Sequence, residues 1–129
     1  MTINQGKFNK ESKLVWIIED DEGILEVTQI VLKNAGYQTE LIQNEKIFHQ
    51  KIHGRLPNVI LLDVLLSGSD GRDIAKILKS DANTKHIPII MMSADITVGE
   101  KAKLAKIEDF IKKPFDIDDL LALINKWQI

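Results

Sequence analysis

Six polar residues in this chain fall at the ends of short apolar runs. Glu19, Asp20 and Asp21 follow LVWII, Asp63 follows NVILL, Ser93 closes IPIIMMS, and Lys113 follows shortly after DFI. If these ends converge, several carboxylates, one hydroxyl and one ammonium share a crevice. Two carboxylates about 4 Å apart repel by roughly 4 kcal/mol at an effective dielectric near 20. One lysine cannot neutralise three of them, whereas a divalent cation can, and an all-oxygen donor set favours a hard ion, Mg²⁺ or Mn²⁺. Mg²⁺ keeps several waters and is completed by phosphate oxygens, so the set is suited to a phosphoryl group. In that chemistry Asp63 is a carboxylate nucleophile, Lys113 a second positive charge, and Ser93 a hydrogen-bond donor to the transferred group.

The elements that must position these residues are legible in the apolar pattern. Strand-like runs cover Leu14 to Ile18, Tyr37 to Ile42, Asn58 to Leu62, Ile87 to Ser93 and Asp109 to Ile111. The first, third and fourth are apolar rather than alternating, as strands covered on both faces require. Ile24, Leu25, Thr28, Val31, Leu32 and Ala35 form one stripe of a helix over Glu22 to Ala35, which Gly36 stops. Ile47, Phe48 and Ile52 carry a second helix capped by Asn44, with Gly54 and Pro57 beyond its end; Ile74, Ile77 and Leu78 carry a third. A fourth, near Val98 to Lys106, has little apolar content. Asp116 caps the last, on which Ile117, Leu120, Leu121 and Ile124 repeat at helical spacing. Five β–α units in succession predict a doubly wound α/β fold with a parallel sheet, and such sheets gather ligands at the carboxyl ends of their strands. Asp63 therefore lies either just past its strand or facing something that wants a carboxylate; a buried ionised group otherwise costs several kcal/mol.

Each feature has a plainer reading when taken alone. An Asp ending a strand is commonly a turn or cap residue. The run Glu19-Asp20-Asp21 complements a helix dipole, which is the reading for Asp21, and a Lys-Pro pair marks a turn. These plainer readings do not account for all of the features landing at consecutive strand ends. Glu45, His49 and His53 stand at a spacing that could bind zinc, but solvent-facing positions opposite Phe48 and Ile52 account for them. Lysines 101, 103, 106, 112 and 113 read as a solvated face that could also dock an acidic partner.

Bulk composition narrows the remaining classes. The 129 residues make one domain with room for a core. Hydrophobic residues make up 44% and charged ones 28%, as in ordinary globular proteins, and no apolar stretch is long enough for a membrane span. A net charge of −2 gives no basic field for nucleic acid, and the absence of cysteine removes disulfides and thiolate metal sites. The lead-in MTINQGKFNKESK has no apolar secretory core.

The pieces WIIEDDEG, VILLDVLLSGSDG, IPIIMMSAD and DFIKKPF resemble the receiver domains of two-component response regulators, from about Lys13 to the C-terminus. The resemblance implies a flavodoxin-like, five-stranded sheet of order 2-1-3-4-5 with five helices. It implies that Glu19 and Asp20 bind Mg²⁺ (or Mn²⁺) with Asp63 and the backbone carbonyl of Leu65. Asp63 is then the phosphoacceptor, Ser93 the hydroxyl that turns toward the phosphoryl group, and Lys113 the conserved-type lysine, with a cis peptide before Pro114. Phe110 takes the aromatic switch position. The chain departs from the family pattern at four places. Ser67, followed by Gly68, replaces the usual proline, which predicts a more mobile loop. Leu65, an apolar residue, and Asp95 flank the phosphoryl site where hydrolysis is tuned. Lys106 stands where glycine is common, which predicts a remodelled turn. The Ser93 to Phe110 interval is about two residues short, which predicts an altered signalling face.

The expectation is a flexible lead-in over 1–12 and a receiver domain over 13–129, standing alone because the chain ends just after the last helix. It would be a cytoplasmic phosphoprotein without enzymatic turnover, phosphorylated by a histidine kinase, a phosphotransfer protein or acetyl phosphate. It would signal to a downstream protein through the face of the fourth helix, fifth strand and fifth helix, with no direct role for nucleic acid or membrane. The rivals are a phosphate-independent binding module of the same fold, a receiver excised from a hybrid kinase or larger regulator, and a nucleotide- or flavin-binding enzyme. The last lacks a glycine-rich phosphate loop after the first strand.

Overall fold

The computed structural model describes residues 13–95 and 106–128. Its elements in chain order are β1 (Leu14–Ile18), α1 (Glu22–Asn34), β2 (Gln38–Ile42), α2 (Glu45–Lys51), β3 (Val59–Asp63), β4 (Leu65–Leu66), β5 (Ser69–Asp70), α3 (Gly71–Ser80), β6 (Ile89–Ser93), β7 (Asp109–Lys112) and α4 (Ile117–Trp127). The main sheet is parallel with order β2-β1-β3-β6-β7, which is 2-1-3-4-5 when its own five strands are counted. β4 and β5 form a separate two-residue hairpin.

The continuous apolar runs become central strands because both faces of the sheet are covered. Alternate residues of one strand enter opposite cores, as the period of two demands. Leu14, Trp16, Ile18, Ile60 and Leu62 pack with Phe48 of α2 and Ile74 and Leu78 of α3. Val15, Ile17, Val59 and Leu61 pack on the other side with Leu25 and Leu32 of α1 and Leu120 and Ile124 of α4. Trp16 stands edge-on to Phe48, with ring centroids 6.4 Å apart.

Helix starts follow the sequence signals closely. Asp21 Oδ1 accepts from the Ile24 amide at 3.0 Å and Asn44 Oδ1 from the Ile47 amide at 2.9 Å, so both act as N-caps. Asp116 occupies the N-cap of α4 without a side-chain cap bond, so its contribution there is charge alone. Gly36, at φ 97°, follows α1 as expected.

Several expectations shift. Asp63 is the last residue of its strand rather than a residue beyond it. β7 runs one residue further than DFI, to Lys112. Four helices lie among the described residues; the weak helix expected near Val98 falls outside them, apart from Lys106. That residue keeps the left-handed turn at φ 60°, so replacing glycine has not remodelled it. The Lys113–Pro114 peptide is cis.

At the amino edge of the sheet, Lys79 Nζ bridges both carboxylate oxygens of Glu108 at 2.8 Å and the Ile87 carbonyl at 3.0 Å. The same carboxylate accepts from the Ile89 amide at 2.8 Å. This ties the end of α3 to the starts of β6 and β7, at the edge away from the acidic residues. It has no counterpart in the motif reading.

Candidate active site at the carboxyl edge of the sheet

Strand register dictates which side chains meet. Ile18 pairs with Leu62, which sets Glu19 beside Asp63. Asp63 pairs with Met92, placing Ser93 one step beyond it, and Ser93 pairs with Lys112, placing Lys113 one step beyond that. Backbone ladder bonds continue past the strand ends. The Glu19 amide donates to the Ile42 carbonyl, the Val64 amide to Met92 and the Lys113 amide to Ser93, at 2.8 to 3.1 Å. The edge is therefore a hydrogen-bonded rim rather than a set of loose loops.

On that rim Glu19, Asp20 and Asp63 each offer a carboxylate oxygen within 4.8 Å of the others. Glu19 is 1% exposed and Asp63 is buried, whereas Asp20 is half-buried. Lys113 Nζ lies 2.5 Å from Glu19 Oε1 and 3.3 Å from Asp63 Oδ2. Sequence reasoning put the lysine opposite the carboxylates in general; its shorter contact is with Glu19.

The electrostatics show a deficit of positive charge. Burial pushes the Glu19 carboxyl up to about 7, helped by its hydrogen bond and like charge with Asp63 and only partly opposed by Lys113. Burial pulls on the Lys113 ammonium in the opposite sense, but its bond to Glu19 and the charges of Asp63 and Glu19 outweigh that and leave it above its ordinary value. The hydrogen bonds Asp20 receives from Ser67 keep its carboxyl below the usual range despite partial burial. A group of two buried carboxylates, a third nearby and one ammonium fits a hard divalent cation, which would supply the missing charge.

The rest of the candidate set falls around this rim. Ser93 is buried, and its Oγ accepts from the Asp95 amide at 3.0 Å, which leaves the hydroxyl's own hydrogen to donate. Leu65 is 62% exposed, an apolar side chain beside the acidic cluster, and its amide approaches Asp63 Oδ1 at 3.4 Å. Phe110 is half-buried against the core on β7, and its amide donates to Asp109 Oδ1 at 2.9 Å. Asp109 Oδ2 in turn accepts from Trp127 Nε1 at 2.9 Å, linking the backbone of Phe110 to the end of α4. An apolar groove of about 590 Å³ adjoins Lys113, lined by Ile24, Val27, Ala94, Pro114 and Phe115 among others. Glu45 and His49 pair at 3.2 Å, with His49 and His53 exposed, and neither belongs to the acidic cluster.

Two features escaped the motif reading. A Cβ on Gly71 would lie 2.1 Å from the Asp63 carbonyl oxygen, and the Gly71 amide donates to Val64 O at 2.7 Å. Glycine is thus what lets α3 begin directly against the Asp63–Val64 backbone. The Ser67 amide donates to Asp20 Oδ2 at 2.7 Å, so the loop expected to be more mobile is tethered to the acidic cluster. Ser67 and Gly68 marked a loop, but not what that loop touches.

Fold and site together define a doubly wound flavodoxin-like domain with a cation-seeking acidic rim at its carboxyl edge. The chain belongs to the response regulator receiver domain family, whose model matches residues 15–125. Over 115 residues it is 36% identical to the phosphate regulon transcriptional regulatory protein PhoB of Pseudomonas aeruginosa, covering 88% of this chain and 50% of that protein. It is 30% identical over 117 residues to the DNA-binding transcriptional regulator NtrC of Escherichia coli, covering 88% of this chain and 24% of the relative. The chain thus spans half or less of these curated relatives. A response-regulator crystal structure from Chloroflexus aurantiacus superposes with a TM-score of 0.85 at 29% identity, covering 90% of this chain and 97% of that one. No helix among the described residues is long and apolar enough to cross a membrane.

Proposed function

We propose that Asp63 is the phosphoacceptor of a two-component phosphorelay, within a receiver domain spanning 13–129 that follows a lead-in over 1–12. The observation that carries this reading is the placement of the Asp63 carboxylate. It is buried at the strand end, 3.3 Å from Lys113 Nζ and within one acidic cluster with Glu19 and Asp20. Lys113 offsets part of its charge, and a divalent cation at the same cluster would supply what a phosphoryl group requires in addition.

An Asp63 oxygen attacks the phosphorus of a phosphohistidine or of acetyl phosphate. The new O–P bond forms as the P–N (or P–O) bond to the donor breaks, and the leaving imidazole (or acetate) keeps the electron pair; the imidazole takes up a proton. Mg²⁺ or Mn²⁺, held by Glu19, Asp20, Asp63 and the Leu65 carbonyl, would neutralise charge on the phosphoryl oxygens. Lys113 is positioned to exchange its contact with Glu19 for one with a phosphoryl oxygen. Ser93 donates its hydroxyl hydrogen to another, and Phe110 moves with the strand that follows. This is a population shift toward the state in which Ser93 contacts the phosphoryl group. The domain performs only its own phosphorylation and dephosphorylation and turns over no other substrate.

The donor is a histidine kinase or phosphotransfer protein, and the exposed apolar residues Val27, Ile30 and Leu65 suit a protein surface around the donor histidine. Output passes to a downstream protein through the surface built on β7 and α4, in the cytoplasm. Beryllofluoride, which mimics an acyl phosphate, provides the test. With Mg²⁺ it is expected to raise the melting temperature of the wild-type protein and leave Asp63→Asn unchanged. Equal responses in the two would refute the assignment.

A further inference from the structure

We propose that Ser67 is a positioning residue that holds the Asp20 carboxylate in the orientation a divalent cation needs; this rests on the reading of Asp20 as a metal ligand. Asp20 is the most exposed of the three clustered carboxylates and lies between β1 and α1, and the hydrogen bonds from Ser67 do more to hold its carboxyl low than those from its own amide and Glu19. The restraint comes from 47 residues away, where the Ser67 amide meets Asp20 Oδ2 at 2.7 Å. A short charge-assisted bond of this kind fixes the carboxylate and would leave its other oxygen available to a cation. The rotamer entropy of Asp20 is then lost before the metal arrives, so it does not reduce the affinity.

The turn that presents this amide is built for the purpose. β4 and β5 pair Leu66 with Ser69, leaving Ser67 and Gly68 as a two-residue loop. Gly68 takes φ 77° and nothing crowds it, which gives the loop the pattern of a type II turn with Ser67 at its first central position. Proline is favoured at that position, and Leu66 before it is extended, as a residue preceding proline must be. The resemblance itself names proline as the usual residue here. A prolyl nitrogen carries no hydrogen, so the common version of this turn lacks the donor that this chain directs at Asp20.

The same facts supply a clean probe. Ser67→Pro deletes the amide donor with little strain on the turn, whereas Ser67→Ala keeps the amide and removes only the hydroxyl. Calorimetric titration with Mg²⁺ alone is expected to show Ser67→Pro binding about tenfold more weakly than wild type, the lower end of the range for groups that orient metal ligands. Ser67→Ala, which loses only the hydroxyl's bond to the same carboxylate and keeps the amide's, should fall between the two. In an Asp20→Asn background Ser67→Pro should cause no further loss, which separates positioning of Asp20 from general damage to the loop. Unchanged or tighter binding in Ser67→Pro, or an equal loss in the Asp20→Asn background, would overturn the proposal. Wild-type protein that binds no Mg²⁺ would overturn the metal reading as well, a distinguishable result. If Ser67→Pro does not fold, the Ser67 amide proton of the wild type decides. Its downfield resonance should persist when Mg²⁺ is added and vanish in Asp20→Asn, and its loss on adding Mg²⁺ would refute the idea.

Discussion

Lys113 Nζ stands closer to Glu19 Oε1, at 2.5 Å, than to Asp63 Oδ2, at 3.3 Å. The lysine therefore restrains Glu19 first and Asp63 second, and its removal leaves two buried carboxylates facing each other. Lys113→Ala is expected to destabilise the metal-free protein at pH 8 by about 3 kcal/mol, as when one partner of a buried ion pair is deleted. Mg²⁺ should restore most of that loss. Chemical denaturation with and without the ion measures both; a loss that Mg²⁺ leaves untouched would mean that packing, not charge, is what Lys113 provides.

The raised pKa of Glu19 has a definite consequence for pH. Its folded value is about 7 against an ordinary 4.5, so the folded protein holds a proton that the unfolded chain has released between those values. The stabilisation is fully present below about pH 4.5 and is lost as pH rises through about 7. Between pH 5.5 and pH 8 the metal-free protein should lose about 2 kcal/mol from this group. Glu19→Gln should flatten that part of the profile. A wild-type profile that rises over the same interval, by urea titration at each pH, would contradict the assignment.

Gly71 is a tight steric constraint beside Asp63. Gly71→Ala places a methyl carbon 2.1 Å from the Asp63 carbonyl oxygen, so α3 or the end of β3 must move. The expected cost is about 3 kcal/mol, the upper range of overpacking effects, together with a chemical-shift change at the Asp63 and Val64 amides. Wild-type stability in Gly71→Ala would show that the approach is looser than the geometry implies.

Lys106 carries the opposite kind of strain. At φ 60° its Cβ crowds the following carbonyl, a conformation glycine adopts freely. Lys106→Gly should stabilise the domain by about 0.5–1 kcal/mol, the relief of strain less the added freedom of the unfolded chain. A thermal melt settles the sign.

The strands and the acidic rim were legible because both rest on pattern. Three apolar runs dictate central strands, parallel pairing follows from the β–α alternation, and a parallel sheet necessarily aligns its carboxyl ends. Asp20, Asp63, Ser93 and Lys113 were found that way, without any knowledge of contacts. What the pattern could not carry was the partner of each group. That Lys113 favours Glu19 depends on side-chain reach across two strands, and that Ser67 binds Asp20 depends on the path of a two-residue turn. The Lys79–Glu108 clamp joins residues 29 apart whose types alone suggest an exposed surface. Gly71 drew no reading from the sequence, because the backbone pressing on it belongs to another element. A departure from the family pattern also misled where a local rule was applied without tertiary context. Lys106 suggested a changed turn, yet it keeps the left-handed form.

The central claim is that Asp63 accepts a phosphoryl group with the help of a divalent cation. Intact mass after incubation with acetyl phosphate and Mg²⁺ tests it most directly, run beside Asp63→Asn and a sample stripped of metal. The account predicts a gain of one phosphoryl group in the wild type alone and only with metal present. A gain that survives in Asp63→Asn or without metal, or no gain in the wild type together with no response to beryllofluoride, would contradict it.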